Sequence, residues 1–328
     1  MLHIHNGDST ANIMREAEFP GEHLAFREAL VLGPTPQTRP GEWLDVRANY
    51  LAAGSGLETD KVRADLVRLD AALNTVADYD EATLWFEHDL LCQINLSYLL
   101  ARFARQGTNG ARLSLICIGE YPGIENFRGL GELTAAQMAG LFDTRHEVTD
   151  AEKRLAEAAW SAYCSPDPRA VEQLNAEDTS ALPYLKNALL QHLARFPSVH
   201  NGLSHAENKL LKFIADGETE FTRLCRKFFD AEPAYGLGDY AVWQDLQHMA
   251  YAARPLIIIS GFDEEDGASF ASRIYRTRLA ITDAGNDVLN DESDFIEMNG
   301  IDQWLGGVHL RTENFWRWDA AAQELIIE

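Results

Sequence analysis

The sequence predicts an α/β protein: a Rossmann-like doubly wound parallel sheet, then a helical region, then a winged-helix-like C-terminal module. Three observations predict it. The chain opens with alternating residues, a tight Asn6-Gly7-Asp8-Ser9 turn and a stretch of helical composition. Two short, mostly apolar runs, at residues 82–86 and 112–118, suit strands buried on both faces. A helical pattern separates them, and strand–helix–strand order with crossovers makes the strands parallel.

The remaining elements follow in order. Residues 10–17 continue the first turn as a helix, and residues 23–28 read as a second strand. Leu32-Gly33-Pro34-Thr35-Pro36 breaks the chain, because proline donates no ladder bond. Residues 43–51 and 59–76 read as helices, the second with Val62, Leu66, Leu69 and Leu73 at helical spacing. The run at 82–86 ends in Glu87-His88-Asp89, and a helix carrying Leu90, Ile94, Leu96, Leu99, Leu100 and Phe103 follows. Residues 134–196 read as helices, with Thr134 and Thr149 as N-caps and Glu152 completing a capping box. Ser204 and Glu207 open a helix reaching residue 215, and helices at 219–229 and 239–252 come next. Strands at 256–259 and 275–281 flank a solvated tip, Asp263-Glu264-Glu265-Asp266-Gly267. Three helices and a hairpin resemble a winged helix. The expected organisation is an α/β domain over 1–133, a helical region over 134–197, the winged-helix-like module over 198–292, and a C-terminal hairpin over 293–328 that returns to the first domain.

Composition narrows the function classes. A chain of 328 residues with 46% apolar content buries a sizeable core, and two domains is the natural expectation. No run approaches the roughly 20 apolar residues of a membrane span. No basic and apolar leader pattern opens the chain. Cys92, Cys117, Cys164 and Cys225 are scattered without a CxxC pair, which reads as reduced thiols in a cytoplasmic protein. A net charge of −23 argues against DNA, which would need a local basic patch. Residues 198–290 carry nine Lys and Arg against fourteen Asp and Glu, so the winged-helix-like module is expected to be a packing or protein-interaction module rather than a DNA reader.

Several motifs carry a family resemblance. His5-Asn6-Gly7-Asp8-Ser9, Leu32-Gly33-Pro34 and Leu84-Trp85-Phe86-Glu87-His88-Asp89-Leu90 come first. Phe127-Arg128-Gly129-Leu130-Gly131-Glu132-Leu133-Thr134, the stretch from Phe196 to Ser204, and the stretch from Asn299 to Leu310 follow in order. Together they resemble the bacterial proteins catalogued as domain of unknown function 1835, over nearly the whole chain. The resemblance implies an architecture and brings no activity. Glu28 stands where that pattern would have Asp, so the carboxylate there is one methylene longer.

Both polar clusters, at residues 6–9 and 87–89, fall at carboxyl ends of predicted strands, where such sheets bind ligands. The helix opening after Asn6, Gly7, Asp8 and Ser9 presents free N–H groups to an anion, although Asp8 or Ser9 serving only as a helix cap explains the same residues. Glu87, His88 and Asp89 are three ionisable groups after a buried strand. Alternation points Glu87 and Asp89 the same way, as metal ligands with Asp8 or as an acid/base pair oriented by His88. The plainer account has Asp89 capping the next helix and Glu87 paired with an arginine. Gln93 lies one turn on. Arg27 and Glu28 end the second predicted strand, and Arg128 is a candidate anion ligand. His3 and His5 share a strand face, either as metal ligands or as core network residues. Trp304, Gly306, Gly307 and His309 read as a lid or as a structural hairpin.

The leading expectation is therefore a hydrolase or transferase acting on a small polar or phosphorylated substrate, with a divalent metal ion as candidate cofactor. Asp8, Glu28, Glu87, His88 and Asp89 would be its catalytic groups. Asn6, Gly7, Ser9, Arg27, Gln93 and Arg128 would contact substrate. The alternative is a non-catalytic regulatory protein that joins a ligand-sensing α/β domain to a winged helix.

Overall fold

The structure, a computed structural model, describes residues 1–262 and 270–328. The acidic tip expected at Asp263-Glu264-Glu265-Asp266-Gly267 lies outside the described residues. The chain divides into two units, Met1–Leu190 with Trp304–Val308, and Gln191–Gln303 with His309–Glu328.

The first unit is α/β. Its elements are β1 (Leu2–His5), α1 (Asp8–Glu16), β2 (Glu22–Ala25), α2 (Pro40–Ser55), α3 (Thr59–Asn74), β3 (Glu81–Glu87), α4 (Leu90–Gln106) and β4 (Arg112–Ile118). Then come α5 (Ala135–Leu141), β5 (His146–Glu147), α6 (Asp150–Tyr163), α7 (Arg169–Ala176) and α8 (Leu185–Leu193). The five strands form one sheet in the order β2-β1-β3-β4-β5. The first four pair in parallel, and β5 runs antiparallel to β4 at the edge. All of β1 and β3 is buried, which explains why β3 is a continuous apolar run rather than an alternating one. From β1 the chain steps out to β2, then returns past β1 to β3. The strand order thus reverses between β1 and β3, and the crevice beyond their carboxyl ends is where sheets of this kind bind ligands.

Thr134 and Thr149 cap α5 and α6 as predicted, Thr149 in the expected box with Glu152, and Gln137 completes a second box with Thr134. The second strand is shorter than predicted. It ends at Ala25, so Arg27 and Glu28 lie on the connection that follows it.

The face of the sheet that carries His3 and His5 meets His23 of β2 and Trp85 of β3. His23 stacks on both, with ring centroids 4.9 Å from His3 and 5.2 Å from His5. The indole of Trp85 donates to His3 Nδ1 at 3.1 Å, so the His3 proton sits on Nε2, which donates to the Pro20 carbonyl at 3.1 Å. His23 Nε2 donates to the Phe19 carbonyl at 3.1 Å, and its Nδ1 therefore accepts from His5 Nε2 at 3.0 Å. This is the network role, and it requires His3 and His23 to be neutral, because each accepts through Nδ1. Burial lowers His3 to about 4 and His5 to about 2, and lowers His23 as well. The unfolded chain takes up these protons from pH 6.5 downward while the folded chain refuses them, so stability is full above 6.5 and is lost as pH falls. At pH 5 each of His3 and His5 is expected to cost about 2 kcal/mol relative to pH 7. Urea midpoints at the two pH values measure this, and His5→Phe should recover its share of the loss.

The second unit holds α9 (His205–Ala215), α10 (Phe221–Ala231), α11 (Asp239–Ala250), β6 (Ile257–Ser260), α12 (Phe270–Ile274), β7 (Arg278–Ile281), α13 (Asp283–Leu289) and α14 (Phe295–Asn299). Four short strands follow, the first two sharing Trp304–Val308 with the first unit: β8 (Asp302–Leu305), β9 (Val308–Arg311), β10 (Trp316–Asp319) and β11 (Glu324–Ile327). The strands pair as two-stranded sheets, β6 with β7, β8 with β9 and β10 with β11. Ser204 caps α9 in a capping box with Glu207. Arg317, 3% exposed, pins the C-terminal strands. It holds Asp294 at 2.8 Å, Glu328 at 2.7 Å and the Ser198 carbonyl at 3.0 Å. Among the described residues, no helix is long and apolar enough to cross a membrane.

Candidate functional site at the β1 and β3 strand ends

Gly7 makes the turn after β1. Its φ of 99° belongs to glycine, and a Cβ there would meet nothing within 4 Å. No side chain caps α1, so its first N–H groups are open to an acceptor. At the end of β3, Asp89 is the N-cap of α4 and accepts from the Cys92 N–H at 2.8 Å. Cys92 is three residues beyond the cap, which brings its thiol over the end of the strand. The thiol donates to Glu87 Oε2 at 2.7 Å and accepts from the Asn6 amide at 2.8 Å. The other carboxylate oxygen of Glu87 accepts from the Leu130 N–H at 2.6 Å.

That last bond depends on Gly129. Its φ of 151° is closed to other residues, and a Cβ would stand 2.9 Å from Glu87 Oε1. Two residues on, a Cβ at Gly131 would stand 2.9 Å from the Ser9 hydroxyl. The Gly129-Leu130-Gly131 segment thus bridges the two clusters seen in the sequence. Gly129→Ala is expected to cost about 2 kcal/mol, from strain and the displaced Leu130 bond. Urea unfolding measures it, and Gly140→Ala, where a Cβ would meet nothing within 4 Å, is the control that should be near neutral.

Glu87, Asp89 and Cys92 each offer a ligand atom, and these three atoms lie within 4.8 Å of one another. Their electrostatics set them apart from the opposite end of the same strand. Glu81, at the amino end of β3, takes hydrogen bonds from Arg112, Ser114 and Arg145. These overcome the upward push of burial and hold it near 2. Among the described residues no lysine or arginine pairs with Glu87. Burial first, then the Asp89 charge, pushes Glu87 up to about 7. Burial also raises Asp89, and it raises the Cys92 thiol well beyond its usual range. One strand thus carries two glutamates whose protonation differs at neutral pH, and the one at the ligand end can take or give a proton there.

The predicted site residues divide accordingly. Asn6, Ser9, Glu87 and Asp89 come together. Asp8 does not join the ligand-type trio. It forms a bidentate pair with Arg27 on the surface, at 2.8–3.0 Å, and the Arg27 hydrogen bonds lower its pKa. Glu28 is elsewhere too, buried against Arg47 at 2.6 Å. Its main-chain carbonyl accepts from Asn95, and the same Asn95 amide donates to Asn6 Oδ1 at 2.7 Å. His88 turns toward Tyr184 and Phe127, with ring centroids 6.2 Å and 6.5 Å away. Gln93 is buried, and its amide donates to the Glu87 carbonyl at 2.6 Å, supporting the strand end rather than facing outward. Arg128 pairs with Glu132 at 2.8 Å.

In the first unit, Gly306 and Gly307 are structural. The Gly306 carbonyl accepts from the Thr35 N–H at 2.8 Å, and a Cβ at Gly307 would fall on the Cys164 carbonyl. Sequence reasoning missed Cys92, Leu130 and the two glycines around it. The signal for Cys92 was available, because the third residue after an N-cap lies over that cap. No family model matches the chain, and no curated protein matches it.

Proposed function

We propose that the protein is a hydrolase or transferase that acts on a small polar or phosphorylated substrate beyond the carboxyl ends of β1 and β3. The observation that carries this reading is Glu87, raised to about 7 without a cationic partner among the described residues, at the point where the strand order reverses. Glu87 is the proton-transfer group. Burial first, and then Asp89, anchored by the helix it caps, keep the Glu87 pKa high. The uncapped start of α1, with Asn6 and Ser9 beside it, receives the anionic part of the substrate. The strand order supports a Rossmann-like doubly wound sheet, and the motifs that carry the family resemblance contribute Gly7, Glu87, Gly129 and Leu130 to this one place.

A divalent ion fits the trio. Two carboxylates and a thiol form a donor set that suits zinc-like ions better than magnesium, and Glu87, Asp89 and Cys92 would hold it. Bound there, the ion would supply an activated water or a polarised oxygen. Cys92 and Glu87 must each give up a proton to bind it, so binding releases protons. Calorimetry with zinc alone, in two buffers of different ionisation enthalpy, should show proton release that falls in Cys92→Ser to the share Glu87 supplies. Absence of zinc binding would remove the metal from this reading. A Glu87 that titrated near 4.5 by carboxyl-carbon NMR would end the reading itself.

A second reading concerns the other unit. The order α9, α10, α11, then the β6–β7 hairpin, supports a winged-helix-like module. Its third helix contains Asp239 and Asp245 and no lysine or arginine, which favours a protein partner over DNA. The four cysteines are free thiols, in keeping with a cytoplasmic location.

A further inference from the structure

We propose that a cleft of the first unit, between α2, α3, α4 and α6, binds a flat heteroaromatic ligand of the nucleoside class. The cleft has a volume of about 1120 Å³, enough for a base with its sugar. It is separate from the Glu87 cluster, and the inference does not depend on the function proposed there.

Three rings set its character. Trp43 and Tyr98 are nearly parallel, at 14° with centroids 6.4 Å apart. Trp160 stands across both, at 79° to Trp43 and 69° to Tyr98. Trp43 and Tyr98 are only half-buried, so part of their apolar surface faces the cleft. Such faces gain most from a flat π-system, which stacks on them offset.

Two of the four carboxylates that line the cleft are neutralised. Glu28 is tied to Arg47, and Asp70 to Arg102. That lowers the attraction for a small bare ion. A purely aliphatic ligand is disfavoured by Arg102. This side chain lines the cleft at 7% exposure, and its two terminal nitrogens are taken by Asp70, Asn74 and Tyr98. Its enclosed Nε–H has no partner among the described residues. A buried donor left unmet is costly, and a small turn of the Arg102 side chain toward the cleft would let a ring nitrogen, a ring carbonyl or a ribose hydroxyl satisfy it. Stacking faces beside an unmet donor are what a nucleobase with its sugar complements. Arg39 also lines the cleft, so a 5′-phosphate is a separate arm of the test.

The full chain would be titrated calorimetrically with adenosine, guanosine, cytidine and uridine, with their 5′-monophosphates, and with ribose 5-phosphate. At least one nucleoside or its monophosphate should bind, and ribose 5-phosphate should not. The same ligand should shift the indole N–H resonances of Trp43 and Trp160 among the seven tryptophans of the wild-type chain. Trp43→Ala should weaken binding about tenfold, and Trp43→Phe should restore most of it. Unchanged affinity in Glu87→Gln would separate this site from the strand-end cluster. Silence from every nucleoside and monophosphate at millimolar concentration overturns the proposal. So does equal binding of ribose 5-phosphate, or binding that leaves both indole signals in place.

Discussion

Replacing Arg47 with alanine is expected to destabilise the protein by about 3–5 kcal/mol, the largest loss predicted here for a single side chain. Arg47 is fully buried and works as a four-way tie. One nitrogen holds Glu28 at 2.6 Å and the Ala29 carbonyl at 3.2 Å, and the other holds the carbonyls of Leu32 at 2.6 Å and Pro34 at 3.1 Å. The segment from Glu28 to Pro34 has no strand or helix ladder to satisfy its carbonyls, so side chains do much of it: the guanidinium for Ala29, Leu32 and Pro34, Asn95 for Glu28 and Tyr163 for Leu30. Truncation leaves a carboxylate buried without its counter-charge and takes a donor from three carbonyls, of which Ala29 keeps the Leu32 N–H. Lysine keeps the charge but not the planar fork, so Arg47→Lys should still lose about 2 kcal/mol. Glu28→Gln should cost less than Arg47→Ala, because the three carbonyl bonds survive. Urea unfolding of the three variants reads the order. An Arg47→Ala variant within 1 kcal/mol of wild type would contradict the account.

Glu28 also shows where sequence reading reached its limit. Its residue type and its place after the second strand marked it for the strand-end site. The strand ends three residues earlier, at Ala25, and the chain then turns toward α2. Nothing local announces that Arg47, nineteen positions away on a helix, is its partner. Short-range signals fared better. The turn at Gly7, the caps at Thr134, Thr149 and Ser204, and the buried run of β3 all rest on interactions within a few residues, and each was legible. Glu87 and Asp89 were also legible from their place at the end of the buried run, although Asp89 is held there as the cap of α4 and not by strand alternation. Their third companion was not Asp8 but Cys92. Asp8 had a competitor that the sequence could not place, because Arg27 reaches back to it across the turn. The aromatic cleft joins Trp43, Tyr98 and Trp160 from three helices, and no periodicity within one helix points to it.

Glu87→Gln is expected to remove a pH dependence rather than simply to weaken the fold. A carboxyl moved from its ordinary 4.5 to about 7 represents about 3 kcal/mol between its two limits. In the folded chain Glu87 keeps its proton up to about 7, whereas the unfolded chain releases it above 4.5. Between those values the folded state holds more protons, so this group's contribution is full below 4.5 and is lost as pH rises to 7. Glutamine has no proton to lose and should flatten that segment of the stability curve. At pH 8 the variant should be the more stable protein. The net gain is smaller than the full 3 kcal/mol, about 1–2 kcal/mol, because the amide oxygen can replace the acceptor for Leu130 or for Cys92 but not for both. The histidine stack acts with the opposite sign in an overlapping window, so the wild-type curve alone is ambiguous. The difference between wild type and Glu87→Gln cancels the histidines and isolates Glu87. If that difference stays constant from pH 4.5 to 8, Glu87 is an ordinary carboxylate, and neither its proton-transfer role nor its competition with a metal ion survives. If it opens by about 3 kcal/mol as expected, the strand end stores that energy as an unfavourable charge, which a bound cation would relieve.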